Sequence, residues 1–269
     1  MIERLKYLIN KSVYIIDQIA LSQSKVSDYD ILAFSFLKKN TISCISILNI
    51  ISPIKSQDNL SYKYSIYDIN SSFILIRALF ESYVNMFYLL DTNLTEDERE
   101  LRYLLWKRHA FVERQKISEY KGLKDKKLDL EKNLIEDLNI RIKSNSFFNN
   151  FSDKQKSKYL EKEWNWDLLG DFSTKTTNIG INKKRVDYLY KFLSNYSHSQ
   201  SYAFMQVSEL TQEDAKSLIN GTPLLYTISF LAKTLELFFQ SYSGNVEKFK
   251  QDAKLKLEIN HWINWLQNI

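Results

Sequence analysis

The run YDINSSFILIRALFESYVNMFYLL, Tyr67 to Leu90, decides the fold. From Ile69 to Leu90 the only charged residues are Arg77 and Glu81, set among Phe73, Ile74, Leu75, Ile76, Leu79, Phe80, Val84, Met86, Phe87, Leu89 and Leu90. An α-helix turns about 100° per residue, so these apolar side chains point nearly all the way round and predict a helix enclosed by other helices. One sector differs. It carries Asn70, Arg77, Glu81, Asn85 and Tyr88, with Arg77, Glu81 and Asn85 spaced four apart. By position these groups are expected to be buried. Burying a guanidinium or a carboxylate costs on the order of several kcal/mol unless the ion is paired and hydrogen-bonded. The sector is therefore either a structural Arg77–Glu81 pair that fixes helix register or the lining of a ligand or active site.

Working outward, the whole chain has 44% hydrophobic and 26% charged residues, which is ordinary for a globular protein and excludes global disorder. Only five glycines and two prolines occur in 269 residues, too few for a turn-rich sheet architecture, so long helices with few loops are expected. Cys44 is the sole cysteine, which excludes an intramolecular disulfide and a thiolate metal cluster and fits a reducing, cytoplasmic compartment. The first residues, MIERLKYLIN, lack the apolar run and small-residue cleavage site of a signal peptide. The greasy stretches 42–51 and 223–239 read as too short, or as broken by Lys233 and Glu236, so no membrane span is expected. A net charge of +5 permits attraction to a polyanion without demanding it, because the lysines are scattered.

Further helices follow from periodicity and caps. An amphipathic segment covers 2–21; Ser27 and Asp30 have capping-box spacing before a helix that Pro53 should stop; and 57–64 reads as a loop. Thr95 to Glu98 predicts a helix start, with a helix to about Tyr120. The charged segment 124–144 has Leu128, Ile135, Leu138 and Ile142 at near-heptad spacing, as in an extended arm or a partner-helix seam. Segment 145–183, with FFNNF at 147–151 and Trp164 and Trp166, reads as a lid, binding loop or interface. One helix is expected over 183–207, with Asp187, Lys191, Ser194, His198, Tyr202 and Met205 along its polar face. Thr211 with Asp214, and Thr222-Pro223, each start a later helix.

Of the residues able to do chemistry, His198 stands out, since imidazole exchanges protons near neutral pH and Ser194, four residues earlier, is placed to orient it. If its face meets the Arg77 sector, a histidine, an arginine, a carboxylate and an amide converge as a phosphodiester would require. The bland alternative is a solvated histidine on a polar face. Arg102 and His109, six residues intervening, form a second such row with Trp106 and Glu113. Glu258-x-x-His261 is half of a di-iron bundle pattern and has no second copy, so no metal site is expected. A glycine-rich phosphate loop, an HExxH and a nucleophile elbow are all absent.

Three runs carry a resemblance: Ser72-x-x-x-x-Arg77-Ala-Leu-Phe-Glu81-x-x-x-Asn85-x-x-Tyr88; Leu101-Arg102-Tyr103-x-x-Trp106 with Glu113-Arg114; and Tyr190-x-x-x-Ser194-x-x-x-His198-Ser199. Over about 67–207 the chain resembles an uncharacterised family of bacterial all-helical proteins. That family is in turn loosely similar to the HEPN superfamily, many of whose members are dimeric, metal-independent ribonucleases of toxin, antiviral-defence and CRISPR systems. Their signature is an arginine with a histidine four to six residues on, usually with a polar residue after the arginine. The helix holding His198 has no arginine at that distance, Arg185 being thirteen positions back, and Arg102/His109 has Tyr103 after the arginine. With that signature missing, a nuclease of this kind would here need a composite site, Arg77 and Glu81 from one helix and His198 from another.

The expectation is one all-α domain over 1–269, a helical bundle with 69–90 at its centre, acting as a homodimer without cofactor or metal and away from membranes. Arg77, Glu81, His198, Asn85 and Ser194 are the candidate catalytic residues of an RNA-binding, RNA-cleaving effector. Tyr88, Arg102, Trp106, His109, Lys191, Asn195 and Tyr202 are the candidate substrate contacts. A non-catalytic nucleotide- or protein-binding module, with Trp164 and Trp166 in the contact surface, is the alternative, and a nucleotide-modifying enzyme a third.

Overall fold

Helices with little glycine or proline to interrupt them are what the computed structural model contains: residues 1–22, 26–52, 67–122, 126–161, 165–198 and 200–268 are described, and among them there is no strand. The helices are α1 (Ile2–Leu21), α2 (Asp28–Ile50), α3 (Ile69–Leu90), α4 (Glu96–Tyr120), α5 (Lys126–Ser144), α6 (Ser146–Asn149), α7 (Asp153–Leu160), α8 (Phe172–Lys175), α9 (Lys183–Ser197), α10 (Ser201–Glu209), α11 (Gln212–Asn220), α12 (Thr222–Ser241), α13 (Glu247–Lys250) and α14 (Ala253–Asn268). Pro53, the 57–64 loop and Trp164 lie outside the described residues. Two compact units result: Met1–Leu90 with Thr176–Ile269, and Asp91–Lys175.

In the first unit α3 packs against α2, α9 and α12, the surrounding its apolar circumference requires. Phe73, Ile76, Leu79, Phe80, Val84, Met86 and Leu89 are each fully enclosed, and Phe80 stacks on Phe230 of α12 with centroids 4.9 Å apart. Asn40 of α2 donates to Thr234 of α12 at 3.0 Å, a buried polar tie between the two helices that flank α3. By length and composition α2 and α3 are apolar enough to cross a bilayer, which the shorter stretches picked from the sequence are not.

The predicted capping box of α2 forms, and it serves a second purpose. The Asp30 carboxylate takes the Ser27 backbone N–H at 3.0 Å and also the Ser243 N–H at 2.6 Å and hydroxyl at 2.7 Å, tying the break after α12 to the start of α2. Burial raises this carboxyl's pKa, but the hydrogen bonds from Ser243 and Ser27 outweigh it and hold the group below the usual carboxylate value.

In the second unit α4 and α5 run antiparallel. Arg108 meets Asn139, Arg114 meets Glu131, and Arg141 meets Glu100, early residues of one helix against late residues of the other. The seam read as an arm is thus buried within the chain: Leu138 and Ile142 join Leu101, Leu104 and Leu105 of α4, and Phe148 and Tyr159 close the core. FFNNF supplies that closure, with Asn145 capping α6 through the Phe148 N–H at 3.0 Å. Arg108, only 1% exposed, donates to Asn139 Oδ1 at 2.9 Å and to the Tyr159 carbonyl, joining α4, α5 and α7. The Thr95 box forms only by half, because Glu98 turns forward to Arg102 at 2.6 Å.

Asp30→Asn should lower stability by roughly 2 kcal/mol at pH 7 through loss of charge-assisted hydrogen bonds. Because the folded-state pKa is depressed, the wild type loses that advantage as pH falls below about 4, and chemical denaturation from pH 7 to 3 should show the two proteins converging. Arg108→Ala should cost about 3 kcal/mol, since it opens a cavity and strands the Tyr159 carbonyl, measurable by the same denaturation.

Candidate active site

The register between α3 and α9 is set by aromatic packing: Phe73 meets Phe192 edge-on at 5.0 Å and lies 4.5 Å from Tyr196. One turn on from Phe73, that register delivers Arg77 to the C-terminal end of α9. Its Nε donates to Glu81 Oε1 at 2.9 Å, Nη2 to the Tyr190 hydroxyl at 3.1 Å, and Nη1 both to the Ser197 hydroxyl and to His198 Nε2, 3.2 Å away. The guanidinium carbon also lies 4.9 Å from the centre of the Tyr190 ring. These contacts use four of arginine's five N–H groups, and one on Nη2 remains without a partner among the described residues.

A guanidinium can only donate, so in this contact His198 Nε2 is the accepting nitrogen and the ring proton sits on Nδ1. The histidine is exposed, whereas the Arg77 side chain keeps 14% and that of Glu81 39% of its free exposure. The pair expected inside the helix core thus lies at its one open edge.

The expected helix over 183–207 is two helices, α9 and α10, and His198 is the C-cap of the first (φ −104°, ψ 11°). Serine and histidine are weak helix formers, and the Ser197 hydroxyl is bonded back to the Leu193 and Ser194 carbonyls, both at 3.2 Å. The break places His198 at a helix terminus, where carbonyls left without helical partners favour a nearby cation such as Arg77.

Other candidates fall differently. The Ser194 hydroxyl bonds the Tyr190 carbonyl at 2.6 Å instead of orienting the imidazole, and its own carbonyl holds the His198 N–H at 3.1 Å. Asn195 is half-buried, and its carbonyl receives the Gln200 N–H at 3.0 Å. Asn85 is half-buried, two turns along α3 from Arg77. Tyr88, 1% exposed, belongs to the core, roughly 16 Å along the axis from Arg77. Lys191 is exposed on α9, and Tyr202, also exposed, belongs to α10.

Arg102, Trp106 and His109 belong to the second unit, where Arg102 is 6% exposed and pairs with Glu98, and His109 lies against Trp166, centroids 6.3 Å apart. Glu258 and His261 are occupied by Arg4, at 2.8 and 3.1 Å, and fasten α1 to α14. Among the described residues no group of three or more His, Cys, Asp or Glu side chains is placed to hold a metal ion.

Tyr190 and Ser197 were missed as site residues. Their signal was present, because Tyr190, Ser194 and Ser197 follow the i, i+4, i+7 stripe of one helix face.

Helical throughout, with an arginine of one helix held against the exposed terminal histidine of another, the protein is an all-α protein with a two-helix polar site. It belongs to the family of unknown function DUF5677, whose profile matches residues 62–216, over half the chain, and the match contains both Arg77 and His198. No curated protein and no solved structure matches the chain.

The Arg77 contact predicts that neutral His198 is the Nδ1–H tautomer, readable from its ring nitrogens by long-range 1H–15N NMR. In Arg77→Met that preference should vanish; a wild-type ring protonated on Nε2 would rule out the hydrogen bond.

Proposed function

We propose that this protein is a HEPN-like, metal-independent endoribonuclease, an effector of bacterial phage defence or a toxin system, acting as a homodimer. What supports the reading is one observation: the 3.2 Å contact between the Arg77 guanidinium and the exposed His198 imidazole, brought together from two helices. An RNA phosphate entering here takes N–H donors from Arg77, including the one on Nη2 that has no partner among the described residues, and thereby releases the Nε2 lone pair. His198 then accepts the 2′-hydroxyl proton as the 2′-oxygen bonds to phosphorus. The bond to the 5′-oxygen breaks, that oxygen takes a proton from water, and the imidazolium returns its proton to solvent. Arg77 stabilises the charge that grows on the phosphoryl oxygens, while Glu81 and Tyr190 hold its plane.

A second reading, a non-catalytic nucleotide- or protein-binding helical module, draws support from how fully Arg77 is engaged: a side chain bonded to Glu81, Tyr190, Ser197 and His198 also serves as a joint between α3 and α9.

Purified protein incubated with mixed-sequence RNA should yield fragments with 2′,3′-cyclic phosphate and 5′-hydroxyl ends, unaffected by chelator. His198→Ala should slow cleavage at least about 100-fold and Arg77→Lys by a similar factor. Intact RNA with the wild type, or full activity in His198→Ala, overturns the proposal; loss of folding in Arg77→Ala with unaltered binding in His198→Ala favours the second reading.

A further inference from the structure

The first unit contains a cavity of about 350 Å³ between α9, α10, α11, α12 and α14, within the size range of small-ligand pockets. Its walls are aromatic: Tyr188 and Phe192 of α9, Tyr202 of α10, Tyr226 of α12 and Trp265 of α14. Tyr188 and Phe192 lie nearly parallel, 17° between planes and 6.2 Å between centroids, and Tyr226 meets Trp265 edge-on at 5.9 Å. On α9, Tyr188 and Phe192 point some 40° apart at helical pitch, whereas Tyr190 and Ser197 point to the other side, so the cavity is not the Arg77 site but its neighbour across one helix.

Two of these rings are held open to solvent, Tyr188 at 66% and Tyr202 at 50% exposure. A folded chain gains nothing by leaving such rings at a cavity mouth, whereas a planar partner lying against them covers their faces. The polar lining is small and directional. Tyr196 is pushed up to about 12, mainly by burial, so its hydroxyl keeps its proton and donates it to Gln206 Oε1. That fixes the Gln206 amide and leaves its NH2 as the donor end. One cation stands beside the lining: Arg185 of α9 donates to the Leu266 carbonyl at 3.3 Å, next to Trp265, and is close enough to act electrostatically on Tyr226.

Flat aromatic walls, one amide donor and one neighbouring guanidinium form the combination that accepts an aromatic heterocycle bearing a phosphate. The geometry points to this cavity as a nucleobase pocket, holding one base against the Tyr188 and Tyr202 rings while the attached phosphate meets Arg185. It rests on the ribonuclease reading only in assigning that base to a strand whose backbone reaches His198; the pocket itself stands on its own walls. A single strand and a free nucleotide offer the same chemistry, and the test separates them.

Fluorescence anisotropy with a labelled single-stranded oligo(dU) 12-mer, which lacks the 2′-hydroxyl and cannot be cleaved by the proposed route, reads binding alone. Tyr188→Ala and Tyr202→Ala, at exposed positions, should each weaken it about 5- to 150-fold, and Tyr188→Phe and Tyr202→Phe should retain it, with circular dichroism confirming that each variant is folded. Competition by UMP or AMP assigns the pocket to a free nucleotide; binding of the oligomer alone assigns it to a strand, and either result supports the pocket. Absence of binding to oligomer and mononucleotides alike, or wild-type affinity in the Tyr188→Ala, Tyr202→Ala double variant, overturns it. On an RNA substrate the alanine variants should raise KM and leave kcat within about twofold. Tyrosine-dependent binding without cleavage would remove the ribonuclease and keep the pocket; His198-dependent cleavage with tyrosine-independent binding would do the reverse.

Discussion

The first unit depends on a single positive charge held where two helices meet. Arg77 is delocalised, planar and always charged, so it can sit half-buried and still bond in three directions, to its own helix through Glu81 and to α9 through Tyr190 and the Ser197–His198 terminus. Lysine offers a point charge and no such plane. The aromatic contacts of Phe73 with Phe192 and Tyr196 set the distance between the helices, and the guanidinium then fixes their relative rotation. A leucine at the same position would pack as well but would leave the Tyr190 and Ser197 hydroxyls without this donor and the α9 terminus without a cation.

A second arginine, Arg108, shows the same side chain at work inside a core. Arg108 is 1% exposed, spends its donors on Asn139 and the Tyr159 carbonyl, and gathers three helices about itself. Arg77 instead has one N–H without a partner among the described residues and an exposed imidazole as neighbour.

How far this was legible in the sequence depends on the range of the interaction. The α3 helix, the capping boxes at Ser27 and Thr211 and the Thr222-Pro223 start are local, and their residues announce them. The convergence of Arg77 and His198 could be posed only as a condition, because each polar stripe is local but their meeting depends on how α3 and α9 pack. What could not be read is decided between elements. Seam residues Leu138 and Ile142 look the same whether their partner is α4 or another molecule, and Arg108 sits among charged neighbours that give no hint of a closed core. The break at His198 hides in a segment whose apolar spacing continues unperturbed, since serine competition for backbone carbonyls leaves no mark on hydrophobic periodicity.

The first unit is assembled from both sides of the second, so its central joint spans a wide gap along the chain: Arg77 and His198 are 121 residues apart. At ribosomal speeds of about 5–20 residues per second, the arginine waits on the order of ten seconds for its histidine to be made. Through that interval α3 has neither α9 nor α12, and of the helices that pack against it only α2 exists. Closing so long a loop is a late and entropically costly event, so whatever this pair does chemically is withheld from the nascent chain until residue 198 has been translated.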